Sequence, residues 1–162
     1  MRTVIVDSDD NILGAKNGED LKFDDIYRVS ALWLTNSQGQ ILLAKRKMTK
    51  KTDPGKWGPA VSGTIEEGET YESNIYKEAE EEIGLTGHRF TVGPKVLNPY
   101  GNYTFFAQWF LCSLDWPLDK FKLQEDEVEE LAWVGKDFLI KELENSPSKY
   151  IVGAAKVFES FL

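Results

Sequence analysis

Residues 63–85 read GTIEEGETYESNIYKEAEEEIGL, and we infer the fold and chemistry of the chain outward from this stretch. A glycine-rich segment opens it, a predicted helix follows, and Gly84 stands where a C-cap glycine would end that helix. With about 100° between successive residues, Glu78, Glu81 and Glu82 share one arc, because spacings of three and four bring side chains together. The sequence therefore places three carboxylates side by side.

These carboxylates border an apolar stripe of the same helix, which we expect to face a core: Ile75, Ala79 and Ile83. Like charges four residues apart, such as Glu78 and Glu82, cost a helix roughly 0.2–0.5 kcal/mol. The helix alone allows two interpretations. The glutamates form a solvated face of a protein with 27 acidic residues, or they bind a hard divalent cation, Mg²⁺ or Mn²⁺, which prefers oxygen ligands.

The whole stretch resembles the signature of the Nudix hydrolases, G-x5-E-x7-R-E-U-x-E-E-x-G-U, in which U is an aliphatic residue. The matching residues are Gly63, Glu69, Glu78, Glu81, Glu82, Gly84 and Leu85. Lys77 departs from the signature, which has arginine at this position. The resemblance implies a Nudix α/β/α sandwich with a mixed β-sheet. It also implies divalent-metal-dependent hydrolysis of a phosphoanhydride bond in a nucleoside diphosphate linked to another moiety.

The resemblance further implies roles for the matching residues. Glu78, Glu81 and Glu82 would bind Mg²⁺ or Mn²⁺, joined by the backbone carbonyl of Gly63. One of these glutamates, or a carboxylate from a nearby loop, would deprotonate the attacking water. Glu69 would be structural or would assist the metal site.

The acidic loop at residues 125–130 offers the additional carboxylate, ahead of a last strand predicted at residues 131–134. If Val128 packs inward, alternation places Glu127 and Glu129 on the opposite side. Glu127 also matches the glutamate of an E-V-x-x-x-x-W pattern seen in the family, with Trp133 as the tryptophan. We therefore predict that Glu127 is catalytic; the alternative is that all the loop carboxylates are solvated charges.

Positive charge is concentrated just before the acidic stretch, in AKRKMTKKTDPGKW at residues 44–57. Taken alone, this segment is compatible with a solvated loop. Its position favours a basic lip that receives the phosphates of a substrate whose metal lies on the helix. Lys45, Arg46 and Lys56 are the predicted substrate-binding residues.

The remaining pattern alternates between strands and helices, which fits a mixed sheet with helices on both sides. Strands are predicted at residues 3–6, 12–15, 27–34, 40–44, 57–62, 89–97, 103–114 and 131–134. Helices are predicted at residues 137–143 and from 146 to about 158. We expect a single Nudix domain over residues 1–162, with an N-terminal hairpin extension at 1–25 and a C-terminal helix at 146–162 added to it.

Composition bounds the function classes. The chain has 162 residues, 41% of them hydrophobic, and a net charge of −8, which argues against general affinity for nucleic acid or anionic membranes. One cysteine and one histidine exclude a disulfide framework and argue against a His/Cys zinc site. No apolar run is long enough to cross a membrane as a helix, so we expect a cytoplasmic protein. The oligomeric state stays open, a homodimer included.

Two alternatives to hydrolysis remain. Two segments resemble those of isopentenyl-diphosphate isomerases: RVSALWLTNSQGQILLAKR and KKTDPGKWGPAVSG. These isomerases share the Nudix fold and use a cysteine as the acid, at the position just before the signature. Ser62 stands in that place, and a hydroxyl is a far weaker acid than a thiol. The other alternative is a Nudix-fold module that binds a nucleotide without hydrolysing it. Lys77 favours the binding module, because lysine cannot make the two parallel hydrogen bonds that arginine makes to a carboxylate.

The residues are compatible with several leaving groups. Nucleotide sugars, ADP-ribose, dinucleotide cofactors, CoA esters and oxidised nucleotides all fit the resemblance. Five aromatic residues could stack on a base, although aromatic side chains in strands more often belong to a core: Tyr27, Trp33, Trp57, Tyr100 and Tyr103.

Overall fold

The apolar runs of the sequence fold into nine strands and three α-helices in the part of the chain that the structure describes, residues 1–99 and 101–162 of the computed structural model. The strands are β1 (Arg2–Val6), β2 (Ile12–Asn17), β3 (Ile26–Thr35), β4 (Ile41–Arg46), β5 (Trp57–Pro59), β6 (Val61–Thr64), β7 (Thr91–Asn98), β8 (Thr104–Ser113) and β9 (Val128–Val134). The helices are α1 (Tyr71–Ile83), α2 (Lys136–Asn145) and α3 (Ala154–Val157). No helix within these ranges is long and apolar enough to cross a membrane.

The central strand of the sheet is β3. It pairs in parallel with β8 and antiparallel with β1, β4 and β6, so the sheet is mixed, as predicted. Consecutive residues Ala31, Leu32, Trp33 and Leu34 are all buried. A strand covered on both faces requires such a continuous apolar run instead of alternation.

Helices cover both faces of the sheet. On one face, Leu32 and Leu34 of β3 share a core with Ile75 and Ile83 of α1, together with other buried side chains. On the opposite face, Trp33 belongs to a second core with Leu139 of α2 and Phe158, which follows α3. The predicted α/β/α sandwich is therefore confirmed.

The N-terminal hairpin is tied to the rest of the sheet through Asp10. Its carboxylate, whose side chain is 8% exposed, accepts hydrogen bonds from Arg28 Nε at 2.7 Å, from Lys95 Nζ at 2.5 Å and from the Tyr71 hydroxyl at 3.1 Å. These partners lie on β3, β7 and α1. One carboxylate therefore joins the hairpin to three elements.

Two element predictions are wrong. The strand predicted at residues 57–62 is two strands, because β5 pairs with β4 whereas β6 pairs with β3. The single C-terminal helix is interrupted: a 3-10 turn at Pro147–Lys149 precedes α3, and Gly153 between them has the left-handed φ of 74°. The last strand begins at Val128, earlier than predicted. The turn predicted at residues 98–101 contains Tyr100, which lies outside the described residues.

Candidate active site

Helix α1 ends where the sequence predicts, and a capping box fixes its beginning. Thr70 accepts a hydrogen bond from the Ser73 amide, and the Ser73 hydroxyl accepts one from the Thr70 amide, which forms a capping box. Gly84 adopts φ 67°, the left-handed conformation of a C-cap glycine. The predicted apolar stripe is fully buried. Because that stripe is fixed against the sheet, the neighbouring carboxylates lie at the edge of the core.

Gly63 on β6 lies directly against α1. A Cβ atom at this position would lie 2.4 Å from Glu78 Cγ and 2.8 Å from Asn74 Oδ1. No side chain can be accommodated at such distances, so glycine is required by close approach between elements. The Gly63 backbone and the Glu78 carboxylate are thereby brought together.

A buried amide that we did not predict holds this arrangement. Asn74 is fully buried and accepts a hydrogen bond from the Ser30 hydroxyl of β3. Its Nδ2 donates to Glu69 Oε2 at 2.9 Å and, at 3.4 Å, to Glu78 Oε1. The sequence signal was a polar residue one helical turn before Glu78, on the arc of the carboxylates and beside the apolar stripe. Asn74 therefore orients two glutamates of the signature.

Lys77 bridges the same two glutamates. Its Nζ lies 2.6 Å from Glu69 Oε1 and 3.4 Å from Glu78 Oε1. Burial opposes ionisation of Glu69, but hydrogen bonds from Lys77, the Glu66 amide and Asn74 outweigh it and hold the pKa of Glu69 below its usual value. The lysine therefore makes ionic contacts with Glu69 and Glu78 from the position where the signature has arginine.

The electrostatics of the other carboxylates are unfavourable without a cation. Burial, followed by the charges of Glu78 and Glu127, raises the pKa of Glu82 to about 8, although the Ser62 amide and Arg46 act in the opposite direction. Burial also raises the pKa of Glu78, against the effect of Lys77. Crowded carboxylates that resist ionisation are the chemistry that a divalent cation compensates, so these residues fit a hard metal ion.

The carboxylates line one end of a cavity of about 620 Å³. Among the predicted site residues, the cavity is lined by Lys45, Arg46, Gly63, Glu78, Glu81, Glu82 and Glu127. Lys56 is placed elsewhere: its ammonium donates to the Ser148 carbonyl, and it lines a separate, shallower depression. The structure thus brings together residues separated by up to 82 positions in sequence, from Lys45 to Glu127.

Within residues 1–99 and 101–162, no group of three or more His, Cys, Asp or Glu side chains is arranged so that it could hold a metal ion by itself. Mg²⁺ usually keeps several waters and is held by one or two carboxylates together with substrate phosphates. An open carboxylate site of this kind is therefore compatible with a metal that arrives with its substrate.

The acidic loop places one carboxylate in the cavity. Val128 is 5% exposed, as predicted, and the exposed Glu129 forms an ion pair with Lys47 at 2.9 Å. Glu127 lines the cavity and forms an ion pair with Lys50, while its carbonyl accepts a hydrogen bond from the Lys47 amide at 3.1 Å. The basic segment is therefore joined to the acidic loop at the rim of the cavity.

The opposite end of the cavity is aromatic and contains Tyr27 and Tyr103, two of the five aromatic residues that the sequence offered for stacking on a base. It is lined by Tyr27, Asn98, Tyr103 and Phe105. Trp109 and, from the C-terminal segment, Ile151 and Val157 also line the cavity, and the Ile151 amide donates to the Trp57 carbonyl of β5. These residues carry no local motif, because strand pairing brings them together from distant parts of the sequence.

Comparisons with known proteins agree with this architecture. The NUDIX domain family model matches residues 26–153. An uncharacterized Nudix hydrolase of Yersinia pestis is 27% identical over 138 residues, which are 80% of this chain and 70% of that protein. The crystal structure of DR0079 from Deinococcus radiodurans has a TM-score of 0.82 at 21% identity and covers 100% of both chains.

A further solved structure contains a ligand. The NUDIX domain of Shewanella oneidensis NrtR, in a cocrystal with ADP-ribose, has a TM-score of 0.65 at 14% identity and covers 89% of this chain and 90% of that one. At this identity the likeness shows the fold. Because the NUDIX domain match spans most of the chain, the protein belongs to the Nudix hydrolase family and is a Nudix pyrophosphohydrolase.

Proposed function

We propose that the protein hydrolyses a phosphoanhydride bond in a nucleoside diphosphate linked to another moiety, with Mg²⁺ or Mn²⁺ as cofactor. The observation that carries the proposal is the convergence of Glu78, Glu81, Glu82 and Glu127 on one cavity. Burial, followed by the charges of Glu78 and Glu127, raises the pKa of Glu82 to about 8. Such crowding is unfavourable unless a cation is present.

Glu78, Glu81 and Glu82 would hold the metal, with the backbone carbonyl of Gly63 beside them. When bound, a divalent cation neutralises phosphate charge and lowers the pKa of a water molecule. Asn74 and Lys77 keep Glu78 oriented toward this position through the contacts described above.

The remaining steps belong to side chains around the cavity. Lys45 and Arg46 receive the phosphate oxygens at the rim; Arg46 Nε donates to the Thr52 carbonyl at 3.0 Å, which fixes its guanidinium there. Glu127, or one of the helix glutamates, takes a proton from water. The water oxygen bonds to phosphorus, the bridging P–O bond breaks, and the electron pair leaves with the departing phosphate.

A nucleotide derivative as substrate is supported by the ADP-ribose held by the NUDIX domain of NrtR. We further propose that residues 1–162 act as a single domain in the cytoplasm, with a small molecule and not nucleic acid or membrane as the partner. The net charge of −8 disfavours polyanions, whereas the basic rim suits a compact diphosphate. A homodimer is compatible with these proposals.

A panel of nucleoside diphosphate derivatives, assayed with Mg²⁺ and with Mn²⁺, tests the proposal. Products identified by mass in ¹⁸O-water should carry the label on one phosphate. Glu81→Gln and Glu82→Gln should each reduce the rate at least about 100-fold, as expected for metal or general-base roles. Glu80→Gln is the matched control, because Glu80 is exposed on the same helix. Full activity in both site variants would contradict the assignment, and tight binding without turnover would favour a binding module.

A further inference from the structure

One buried amide at the wall of the cavity has an oxygen without a hydrogen-bond partner. In the part of the chain that the structure describes, two buried side-chain oxygens lack a hydrogen bond, Asn98 Oδ1 and Thr3 Oγ1. Asn98 is 7% exposed and lines the cavity, whereas Thr3 is not among the described residues that line it. Buried polar groups are normally satisfied, so an unsatisfied amide at a cavity wall indicates a missing partner.

Aromatic residues lie next to this amide in the sheet. Asn98 at the end of β7 pairs with Phe105 of β8, and Phe105 pairs with Tyr27 of β3, so the three residues form one row across the sheet. The ring centroids of Tyr27 and Phe105 are 5.4 Å apart, and those of Tyr27 and Tyr103 are 6.2 Å apart. Tyr103 is 40% exposed, so part of its surface is accessible for contact.

This aromatic end lies at a defined distance from the carboxylates. Gly63 is on β6, and the strands follow the order β6, β3, β8, β7. Gly63 pairs with Ser30, and the same row continues through Gln108 to Lys95, three residues before Asn98. Three strand spacings and three residues along a strand together amount to roughly 17 Å. Between the two ends, the wall is formed by Val29, Ala31 and Ala107, whose side chains are small. The cavity can therefore hold a diphosphate, a sugar and a planar group in a row.

We infer that the aromatic end of the cavity binds the nucleobase of the substrate, with the Asn98 amide hydrogen-bonding its edge and Tyr103 packing on its face. This inference rests on the proposed function, because it assigns the diphosphate to the carboxylate end. An amide offers an acceptor and a donor side by side, which matches the paired donor and acceptor of a base edge. The rings of Tyr27, Tyr103 and Phe105 offer a planar base a larger contact surface than they offer the hydroxyls of a sugar.

Binding measured in EDTA tests the inference without catalysis. The probes are AMP, CMP, GMP and UMP, compared with ribose 5-phosphate by isothermal titration calorimetry. We expect at least one of the nucleotides to bind about tenfold more tightly than ribose 5-phosphate, the size of one good hydrogen bond plus ring contact. Equal affinity of ribose 5-phosphate and all four nucleotides would overturn the inference.

Two variants separate base binding from packing. Asn98→Leu should abolish the preference for the nucleotide while leaving the midpoint of thermal unfolding unchanged or higher, because it removes an unsatisfied polar group. Thr3→Val is the matched control: it also removes a buried unpartnered oxygen, and it should leave nucleotide affinity unchanged. Retention of the preference in Asn98→Leu would overturn the inference. If that variant does not fold, Tyr103→Leu, which removes the partly exposed ring, serves instead. We expect it to lose the preference for the nucleotide, and retention of the preference would contradict the inference.

The two proposals fail in different ways. If no phosphoanhydride is hydrolysed while the nucleotide preference depends on Asn98, the proposed reaction is wrong and base binding stands. If hydrolysis occurs at equal kcat/KM for every base and Asn98→Leu changes nothing, base binding is wrong and the reaction stands.

Discussion

Gly63 and Glu78 approach so closely that a Cβ atom on the glycine would lie 2.4 Å from Glu78 Cγ. The backbone of β6 and a carboxylate of α1 therefore meet without an intervening side chain. The same Cβ atom would also clash with Asn74 Oδ1, which would lie 2.8 Å away. The geometry of the carboxylate end depends on this one glycine, and its requirement is for space, since its φ is not in the left-handed region.

Gly63→Ala should displace Glu78 and Asn74 together. We expect the rate of hydrolysis to fall about 100-fold, because a misplacement of about 1 Å in catalytic groups has effects of this order. Gly18→Ala is the control, since a Cβ atom there would have nothing within 4 Å. Steady-state kinetics and thermal unfolding of both variants provide the measurement. An active Gly63→Ala enzyme would show that Glu78 is not held as described.

Lys77→Arg should leave activity unchanged or raise it, because arginine can span Glu69 and Glu78 with two nitrogens. Lys77→Met should instead reduce activity about tenfold, since Glu69 and Glu78 would then lack the cation that contacts both. The measurement is kcat/KM together with Mg²⁺ affinity. A large loss in Lys77→Arg would show that the lysine has a role of its own.

Glu127→Gln should lower kcat by about 10- to 100-fold at saturating substrate, whether Glu127 orients water or contacts the metal. Its neighbours Glu125, Asp126 and Glu130 are not among the described residues that line the cavity, and their amide variants should stay within about twofold of wild type. Rate and metal affinity are measured for each variant. If Glu127→Gln behaves like its neighbours, the additional carboxylate is not catalytic.

Asp10→Asn tests the junction of the hairpin with the sheet. Burial opposes ionisation of Asp10, but hydrogen bonds from Lys95 and Arg28 hold its pKa below the ordinary value of 3.8. A lowered folded-state pKa stabilises the fold above the unfolded pKa, and this contribution is lost as pH falls through the folded value. The variant should therefore lose about 2 kcal/mol of unfolding free energy at pH 7 and progressively less below about pH 4.

Urea unfolding at several pH values measures this difference. Asp9→Asn is the control, because Asp9 is exposed in the same turn. A difference between wild type and Asp10→Asn that does not change with pH would contradict the assigned cause.

The protein should not isomerise isopentenyl diphosphate. Ser62, which lines the cavity, stands where those enzymes have a cysteine acid, and a hydroxyl donates its proton far less readily. Incorporation of deuterium from heavy water into an allylic product, followed by NMR, is the measurement. Clear incorporation would mean that another group donates the proton.

The local features of the acidic stretch were determined by the sequence alone. Spacings of three and four place Glu78, Glu81 and Glu82 on one arc of any α-helix, and the capping preferences of Thr70 and Gly84 depend on backbone conformation within a few residues. The mixed sheet was also predictable, because hydrophobic periodicity distinguishes strands from helices. These properties arise from short-range geometry.

Strand boundaries were predicted less well where pairing changes. Residues 57–62 form one apolar run in the sequence, yet β5 and β6 pair with different strands. A change of hydrogen-bonding partner leaves no trace in hydrophobic periodicity. The C-terminal segment has a helical pattern in its sequence, but the left-handed backbone conformation of Gly153 interrupts the helix.

The partners of the site residues were decided only by tertiary structure. Asn74 meets Ser30 across 44 positions, and Lys50 meets Glu127 across 77. Asn98 reaches the cavity because β8 pairs with β7 on one side and with β3 on the other. The sequence specifies which side chains a helix or strand can present. The pairing of distant strands specifies which of them meet, because those contacts depend on the register of the whole sheet.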